Sequence, residues 1–255
     1  MTDMIQPRLT TLNQTRPALL LALFFACWHP TTLMAANTEV QLMLGGFYAN
    51  GQSDTIASSE SEVTGFPIGL NLQKDRWSAS VLTSYLNTSR KEDTTTSQTA
   101  SGMGDSFISI GYDLTQMPWI TLSLNHKIPT GSAEKGLSTG ESDTGIQLDY
   151  FNTFSASNSV FASVGYKSVG RVAGVPMQDP MNASFGLSRF MTESLYIGGS
   201  IDYNESIYKE LKDTTGMSLF SGLRLSKQHQ LLFSTYYDNS DSYQISVNIS
   251  IALLD

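Results

Sequence analysis

Cysteine, charge and long apolar runs are all scarce in this sequence. The 255 residues include one Cys, which rules out a disulfide framework and a cysteine-rich metal site. Only 15% of residues are charged, and 23 acidic against 15 basic side chains give a formal net charge of −8 at pH 7. This balance excludes nucleic acid as a partner, because phosphate backbones require clusters of Lys and Arg. No segment reaches 18 consecutive apolar residues, so no membrane-spanning helix is predicted.

The first 36 residues have the layout of a secretory signal peptide. Arg8 and Arg16 precede the apolar run ALLLALFFAC at 18–27, and the small residues Ala35 and Ala36 follow it. A run of this length is too short to span a bilayer and is typical of a signal peptide. We therefore predict a cleaved signal over residues 1–36 and a mature domain over residues 37–255.

Cys27 allows a different interpretation of the same segment, namely a lipoprotein signal acylated at this residue. The bulky side chains of Phe24 and Phe25, shortly ahead of Cys27, disfavour that alternative. Cleavage after Ala36 removes the only cysteine together with Asp3 and two arginines. The remaining chain then has 13 basic and 22 acidic residues, a net charge of −9, and no thiol chemistry.

Alternation of apolar with small polar residues runs through the rest of the chain. It is clearest at the end, where every second residue from Tyr243 to Leu253 is apolar and the residues between are Gln, Ser, Asn and Ala. Period two indicates a β-strand with one apolar face. Including this segment, we count about twelve strands of about nine to twelve residues, the length that a tilted strand needs to cross a bilayer. The others begin their apolar face near Val40, Phe66, Trp77, Ile108, Ile120, Ile146, Val160, Ala183, Leu195, Met217 and Leu231.

The connections between these strands alternate between short and long. Short turns are predicted at 74–76, 115–118, 155–158, 191–194 and 227–229. Longer polar loops are predicted at 49–65, 87–104, 129–143, 170–180 and 204–214, with a shorter one at 238–241. Short periplasmic turns, longer external loops and an even strand count are typical of bacterial outer-membrane barrels.

The two faces of the strands favour lipid as the outer environment. The faces opposite the apolar one carry mainly Ser, Gly, Asn, Gln and Thr, whereas the exposed face of a soluble sandwich carries many charges. A sandwich with an aromatic core is the alternative. Aromatic residues concentrate at both strand ends, as in the two girdles of a membrane barrel. They are Tyr48, Tyr85, Tyr166 and Tyr203 near the loops, and Trp77, Tyr112 and Phe154 near the turns.

Charged residues at inward positions are the candidate site residues of the lumen and its mouth. Counting alternate positions places eight of them inward: Asp105, Asp113, Lys127, Asp143, Asp149, Lys167, Asp202 and Arg224. Asp105, Lys127 and Asp143 lie at the loop ends of three adjacent strands, so we expect them to meet near the external mouth. Charges in a confined interior must pair or stay hydrated. Two roles remain open: an ion-paired brace that anchors the following loop, or a selectivity constriction that contacts solute.

Aromatic residues also occupy inward positions. They are Phe47, Phe107, Phe151, Phe161, Tyr196, Phe220 and Tyr236. A twelve-stranded barrel is intermediate between filled eight-stranded barrels and wide porins. The aromatic rings would either offer stacking sites to an apolar or aromatic solute or plug the interior.

Three short patterns follow one another in the middle of the chain. They are G-x-G-D at 102–105, K-x-P-T-G at 127–131 and T-G-x-x-D at 139–143, with Tyr112 and Pro118 between the first two. Together they resemble the outer-membrane family labelled "MetA-pathway of phenol degradation", over residues 102–154, about a fifth of the chain. The resemblance implies a transporter barrel for small compounds, aromatic ones among them, without specifying the substrate.

Enzymatic chemistry finds little support in the sequence. Some outer-membrane barrels use a Ser–His pair at the lipid face, but His126 is followed two positions later by Ile128 rather than Ser. No metal-binding helix, phosphate loop or nucleotide fingerprint occurs, so we predict no catalytic residue, metal or cofactor. The sequence therefore predicts a channel or transporter for small organic solutes in lipid of the bacterial outer membrane. A closed structural or surface-interaction barrel is the alternative, and the oligomeric state stays open.

Overall fold

The computed structural model describes residues 38–53, 59–91 and 97–254, and the predicted signal peptide lies outside these residues. The regular elements within these ranges are antiparallel β-strands of one sheet. No helix in the described ranges is long and apolar enough to cross a membrane. The strands are β1 (Glu39–Ser53), β2 (Ser59–Lys74), β3 (Trp77–Lys91), β4 (Ser97–Met103), β5 (Ser106–Gln116), β6 (Trp119–Ile128), β7 (Asp143–Thr153), β8 (Asn158–Ser168), β9 (Met181–Phe190), β10 (Leu195–Asn204), β11 (Thr214–Arg224), β12 (His229–Asp238) and β13 (Tyr243–Leu254).

The sheet closes on itself and forms a barrel of twelve strand positions. β1 pairs with β2 on one side and with the last strand, β13, on the other, over Val40↔Leu254 to Asn50↔Tyr243. β4 and β5 share one position beside β3, because β4 pairs with residues 85–91 of β3 and β5 pairs with residues 77–82. The chain therefore has thirteen segments and twelve positions. The prediction of an antiparallel barrel of about twelve strands is confirmed.

The outer face of the barrel is apolar and exposed, as the alternation predicts. Ile68 in β2, Leu124 in β6 and Leu219 in β11 have 47%, 54% and 60% of their surface exposed. Aromatic side chains border this apolar belt, for example Tyr85 at the loop end and Trp77 at the turn end of β3. Trp77 packs against Tyr112 with ring centroids 4.7 Å apart. Burying this belt requires an apolar medium around the barrel.

Two of the predicted external loops are wrong, because most of their residues belong to strands. β1 extends to Ser53 and β2 begins at Ser59, where the sequence predicts a loop over 49–65. β3 likewise extends to Lys91 and β4 begins at Ser97, within the predicted loop 87–104. Ser, Thr and Glu dominate these stretches and conceal their strand character, because a strand that projects beyond the belt needs no apolar face. The first strands are thus 15 or 16 residues long, beyond the predicted nine to twelve.

Three loops at the same end of the barrel are long and partly buried. They are residues 129–142, 169–180 and 205–213. Leu137, Val169 and Met177 are buried within them. The opposite end carries the short turns 75–76, 117–118, 154–157, 191–194 and 225–228. We call these two ends the loop end and the turn end.

Candidate functional site: the lumen and its mouth

The inner face of the barrel is lined by small polar side chains. Period two places these residues opposite the apolar belt, and they are buried or half-buried inside the barrel. β13 shows this best, since its inward side chains Gln244, Ser246, Asn248 and Ser250 are all buried while its outward residues are mostly exposed. The lumen wall is therefore rich in hydroxyl and amide groups.

Lys127 forms the centre of an ion-paired cluster at the loop end. Its Nζ lies 3.1 Å from Asp143 Oδ2 and 3.5 Å from Asp105 Oδ2. The three side chains are only 7%, 13% and 6% exposed, in the order Lys127, Asp143, Asp105. Strand register explains the meeting, because Lys127 pairs with Asp143 on β7 and with Phe107, two residues after Asp105, on β5. The structure thus brings together the three residues that the sequence places at the mouth.

The same cluster holds the loop 129–142 against the barrel. Lys127 Nζ donates a 2.8 Å hydrogen bond to Thr139 Oγ1, and the backbone N–H of Gly131 donates to Asp105 Oδ1 at 3.3 Å. Thr130 Oγ1 donates to the carbonyl oxygen of Gly104 at 2.9 Å. Each end of the loop is therefore anchored to charged or backbone groups of the cluster.

Asp143 connects the cluster to the other two loops. Its Oδ1 accepts a 3.1 Å hydrogen bond from the backbone N–H of Gly170. In the third loop, burial and the negative charge of Asp143 raise the pKa of the Tyr208 phenol above its usual range. Lys167, beside Gly145 in the β7–β8 pair, lies within electrostatic range of Asp143 and Lys127. Two lysines and two aspartates thus share the mouth, with charges that offset one another.

The remaining inward charges lie away from the mouth cluster. Asp149 accepts from Gln147 at 2.8 Å, and Asp202 accepts from serines on β9, β10 and β11. Asp113 accepts a 2.7 Å hydrogen bond from Thr121. Arg224 corrects the sequence-based grouping, because it lies at the last position of β11, at the turn end, with an exposed side chain. The position of Arg224 at the end of its strand, rather than on the inward face, therefore explains its exposure.

An aromatic wall covers the turn half of the lumen from β6 to β11. Ring centroids lie 6.0 Å apart for Trp119–Phe151, 5.7 Å for Phe161–Phe220, 6.4 Å for Tyr196–Phe220 and 5.8 Å for Phe190–Tyr196. Such spacings are typical of interacting aromatic pairs. Sequence reasoning missed Trp119 and Phe190 as lumen residues, because they lie at strand ends where the alternation is hard to follow. Phe107 lies apart from the wall, near the mouth, in register with Lys127.

The aromatic rings pack against the barrel wall over glycines of the neighbouring strand. Phe161 is in register with Gly186, where an added Cβ would lie 2.2 Å from the ring. Phe220 and Gly198 show the same arrangement at 2.3 Å. The glycines opposite Phe161 and Phe220 leave room for these rings to cover the backbone. This arrangement favours a lining over a plug.

Apolar residues on the other side of the lumen also escaped the sequence analysis. Met43 on β1 and Leu82 on β3 flank Gly69 of β2, each 3.2 Å from the position of an added Cβ. Met43 is almost fully buried. Leu82 lies between outward Val81 and Thr83, so alternation makes it inward, but its apolar side chain is not distinguished from those of the outer face. Strand register places it beside Met43 across Gly69.

His126 faces outward on β6, as expected. Its Nδ1 lies 2.9 Å from Thr144 Oγ1 on β7. Among the described residues, no three His, Cys, Asp or Glu side chains converge to hold a metal ion.

Comparison with known proteins shows the fold. The sequence matches no protein-family model and no curated protein. Among solved structures, the COG4313 outer membrane channel from Pseudomonas putida F1 matches with a TM-score of 0.68 and 12% identity, over 88% of this chain and 99% of that one. The translocator domain of the autotransporter NalP from Neisseria meningitidis matches with a TM-score of 0.57 and 11% identity, over 92% and 93%. The CymD monoaromatic hydrocarbon channel matches with a TM-score of 0.51 and 11% identity, over 86% and 89%. The chain therefore has the fold of outer-membrane β-barrels.

Proposed function

We propose that this chain is an outer-membrane channel that passes small organic solutes, aromatic ones among them. The observation that carries the proposal is the inner surface of the closed barrel, where a polar lining adjoins a wall of aromatic rings. Polar groups keep a solute path hydrated, and ring faces bind apolar or aromatic groups as they pass. The apolar outer belt supports the membrane location, with residues 1–36 as the export signal. The proposal assigns no catalytic residue and no cofactor.

Two likenesses support this proposal. The structures named as an outer membrane channel and as a monoaromatic hydrocarbon channel share this fold over most of both chains. The patterns within residues 102–154 resemble the family labelled "MetA-pathway of phenol degradation". Membership of that family is part of the proposal.

We assign Lys127, Asp105 and Asp143 the role of a brace. A charge that selects solute must face water, whereas Lys127 is 7% exposed and contacts two carboxylates and a hydroxyl. The cluster positions the loop 129–142, and the loop in turn shapes the mouth. Solute would then pass beside the brace rather than bind to it.

A closed structural barrel is the second candidate, and the packing of the loop favours it. Leu137, Ser138 and Thr139 are all buried where the loop 129–142 meets the barrel. A loop fixed in this position could seal the mouth. In that case the outer loop surface would carry the function.

Planar-bilayer conductance and liposome swelling distinguish the two candidates. A channel gives discrete conductance steps and admits a small neutral aromatic such as benzyl alcohol into liposomes. Circular dichroism and a heat-dependent shift in gel migration would first establish that the preparation is folded. A folded protein that neither conducts nor admits the alcohol would overturn the channel and leave the closed barrel.

A further inference from the structure

A row of inward residues, all but one of which carry a carboxylate or a hydroxyl, crosses eight neighbouring strands in direct register. Each member is the registered partner of the next across β5 to β12. Asp113 lies near the turn end of β5, and Asp238 is the last residue of β12 at the loop end. Because barrel strands are tilted, a registered row winds from one end of the lumen towards the other. We call it the acidic row: Asp113, Thr121, Asp149, Ser163, Ser184, Asp202, Gly216 and Asp238.

The carboxylates of the acidic row are bonded to neutral donors. Asp202 accepts from Ser184 and Ser218 at 2.6 Å each and from Ser200 at 3.1 Å. Asp149 accepts from Gln147 at 2.8 Å. The ion pairs found among the described residues involve Lys127 and Arg171 and no member of the row. Asp149 and Asp202 are half-buried, and neither has a cationic partner among these ion pairs.

The two ends of the row carry further groups. Asp238 caps the β12–β13 turn by accepting from Ser240, and Tyr236 donates to it at 3.3 Å. At the turn end, Arg76 lies within electrostatic range of Asp113. Thr214, one inward position from Gly216, is 1% exposed and adjoins the row between Asp202 and Asp238.

The lysines at the mouth do not cancel the acidic row. Lys127 is paired with Asp105 and Asp143, and Lys167 lies in the same balanced group. Between that group and Arg224 at the turn end, the charged inward side chains of β5 to β12 are those of the row. A narrow passage with low-dielectric walls concentrates the field of these charges on any ion inside it.

A second registered row lies two residues nearer the turn end. It begins at Trp119, Phe151 and Phe161 and continues through Gly186, Ser200 and Ser218 to Tyr236. Two residues along a strand separate the rows by about 7 Å. Asp149 and Phe151 thus present a carboxylate and a ring on the same strand. An ammonium group joined to an aromatic ring by one or two carbons spans a similar distance.

We propose that the acidic row makes the lumen selective for small organic cations, with arylalkylammonium ions such as benzylammonium as the best-fitting class. The carboxylates attract and guide the cationic group, while the adjoining rings contact the apolar part through stacking and cation–π interaction. Anionic solutes are repelled along the same path. This inference rests on the proposed channel function and adds the charge of the solute to it.

Reversal potentials across a potassium chloride gradient test the row. The wild-type channel should pass potassium in preference to chloride. Asp149→Asn and Asp202→Asn should each lower the ratio of potassium to chloride permeability about sevenfold, because one unit charge at about 7 Å in water attracts potassium and repels chloride by about threefold each. Glu193→Gln is the matched control, because it removes the same charge from an exposed turn residue. Loss of selectivity in Glu193→Gln but not in the lumen variants would overturn the assignment to the row.

Two probes of equal ring size test the solute class. Liposomes containing the channel should admit benzylammonium faster than benzoate, and Asp149→Asn with Asp202→Asn should narrow the difference. Benzylammonium should also block potassium current more strongly than cyclohexylmethylammonium, which has the charge without the aromatic ring. A conducting channel that prefers chloride or benzoate would overturn the acidic row and leave the channel standing. A folded protein without conductance or uptake would overturn both.

Discussion

Replacing Lys127 by Met should release the loop 129–142 from the mouth. The substitution removes the only cation that contacts Asp105 and Asp143 among the ion pairs of the described residues, and it deletes the hydrogen bond to Thr139. Methionine has a similar length, so the change is mainly one of charge. Asp105 and Asp143, both largely buried, then lie close to each other without a cation to offset their negative charges.

The free-energy cost of Lys127→Met follows from the burial of Lys127, Asp105 and Asp143. Removing one partner of a buried ion pair destabilises by about 3–5 kcal/mol. Asp143 is 13% exposed, so we take the lower value for loop opening. About 3 kcal/mol corresponds to a roughly 100-fold larger open population. The barrel itself should stay closed, because its backbone ladders do not involve Lys127 Nζ.

Limited trypsin digestion measures loop opening directly, because Lys135 lies within the loop and is exposed. We expect cleavage after Lys135 to accelerate by one to two orders of magnitude in Lys127→Met, and single-channel current to become noisier. Arg171→Met is the matched control, since the exposed Arg171–Asp179 pair should contribute at most about 1 kcal/mol. Adding Asp105→Asn and Asp143→Asn to Lys127→Met should restore much of the protection. Cleavage of Lys127→Met at the wild-type rate would refute the brace.

Two further predictions concern the wall and the belt. Gly186→Ala should destabilise the barrel by about 1–3 kcal/mol, because the added methyl group meets the ring of Phe161 at 2.2 Å and a backbone oxygen at 2.6 Å. Gly46→Ala is the control, since its methyl group meets nothing closer than 3.9 Å. Urea unfolding in vesicles compares the two variants, and equal stabilities would contradict the packing of Phe161 over Gly186. Leu219→Lys, in the middle of β11, should cost about 2–4 kcal/mol in lipid, and Leu225→Lys, at the turn end, about 0–1 kcal/mol. Similar losses at both positions in the same vesicle assay would argue against a bilayer around the belt.

Much of the candidate site is accessible from sequence, and the reason is local. Lys127 and Asp143 lie at facing ends of consecutive strands, so chain order alone predicts that they approach. Inward aromatics such as Phe161 follow from alternation within one strand. By contrast, Leu82 and Trp119 stay hidden, because an inward apolar residue beside outward apolar neighbours, or at a strand end, leaves no local signal. Arg224 shows the opposite error. Alternation places it on the inward face of β11, but it does not reveal that the residue lies at the turn end, where its side chain is exposed.

The amino-acid pattern alone determined that this chain forms strands, that they fill about twelve positions, and which side of each faces lipid, because period two and hydrophobicity are properties of each segment by itself. Only the closed tertiary structure decided which inward residues of different strands lie in register with one another. Register is a relation between strands, and a slip of one residue moves each side chain to the other face. Asp149 and Asp202 are 53 positions apart in the chain, yet three strand spacings apart along one row, and only the pairing of β7 through β10 brings them there.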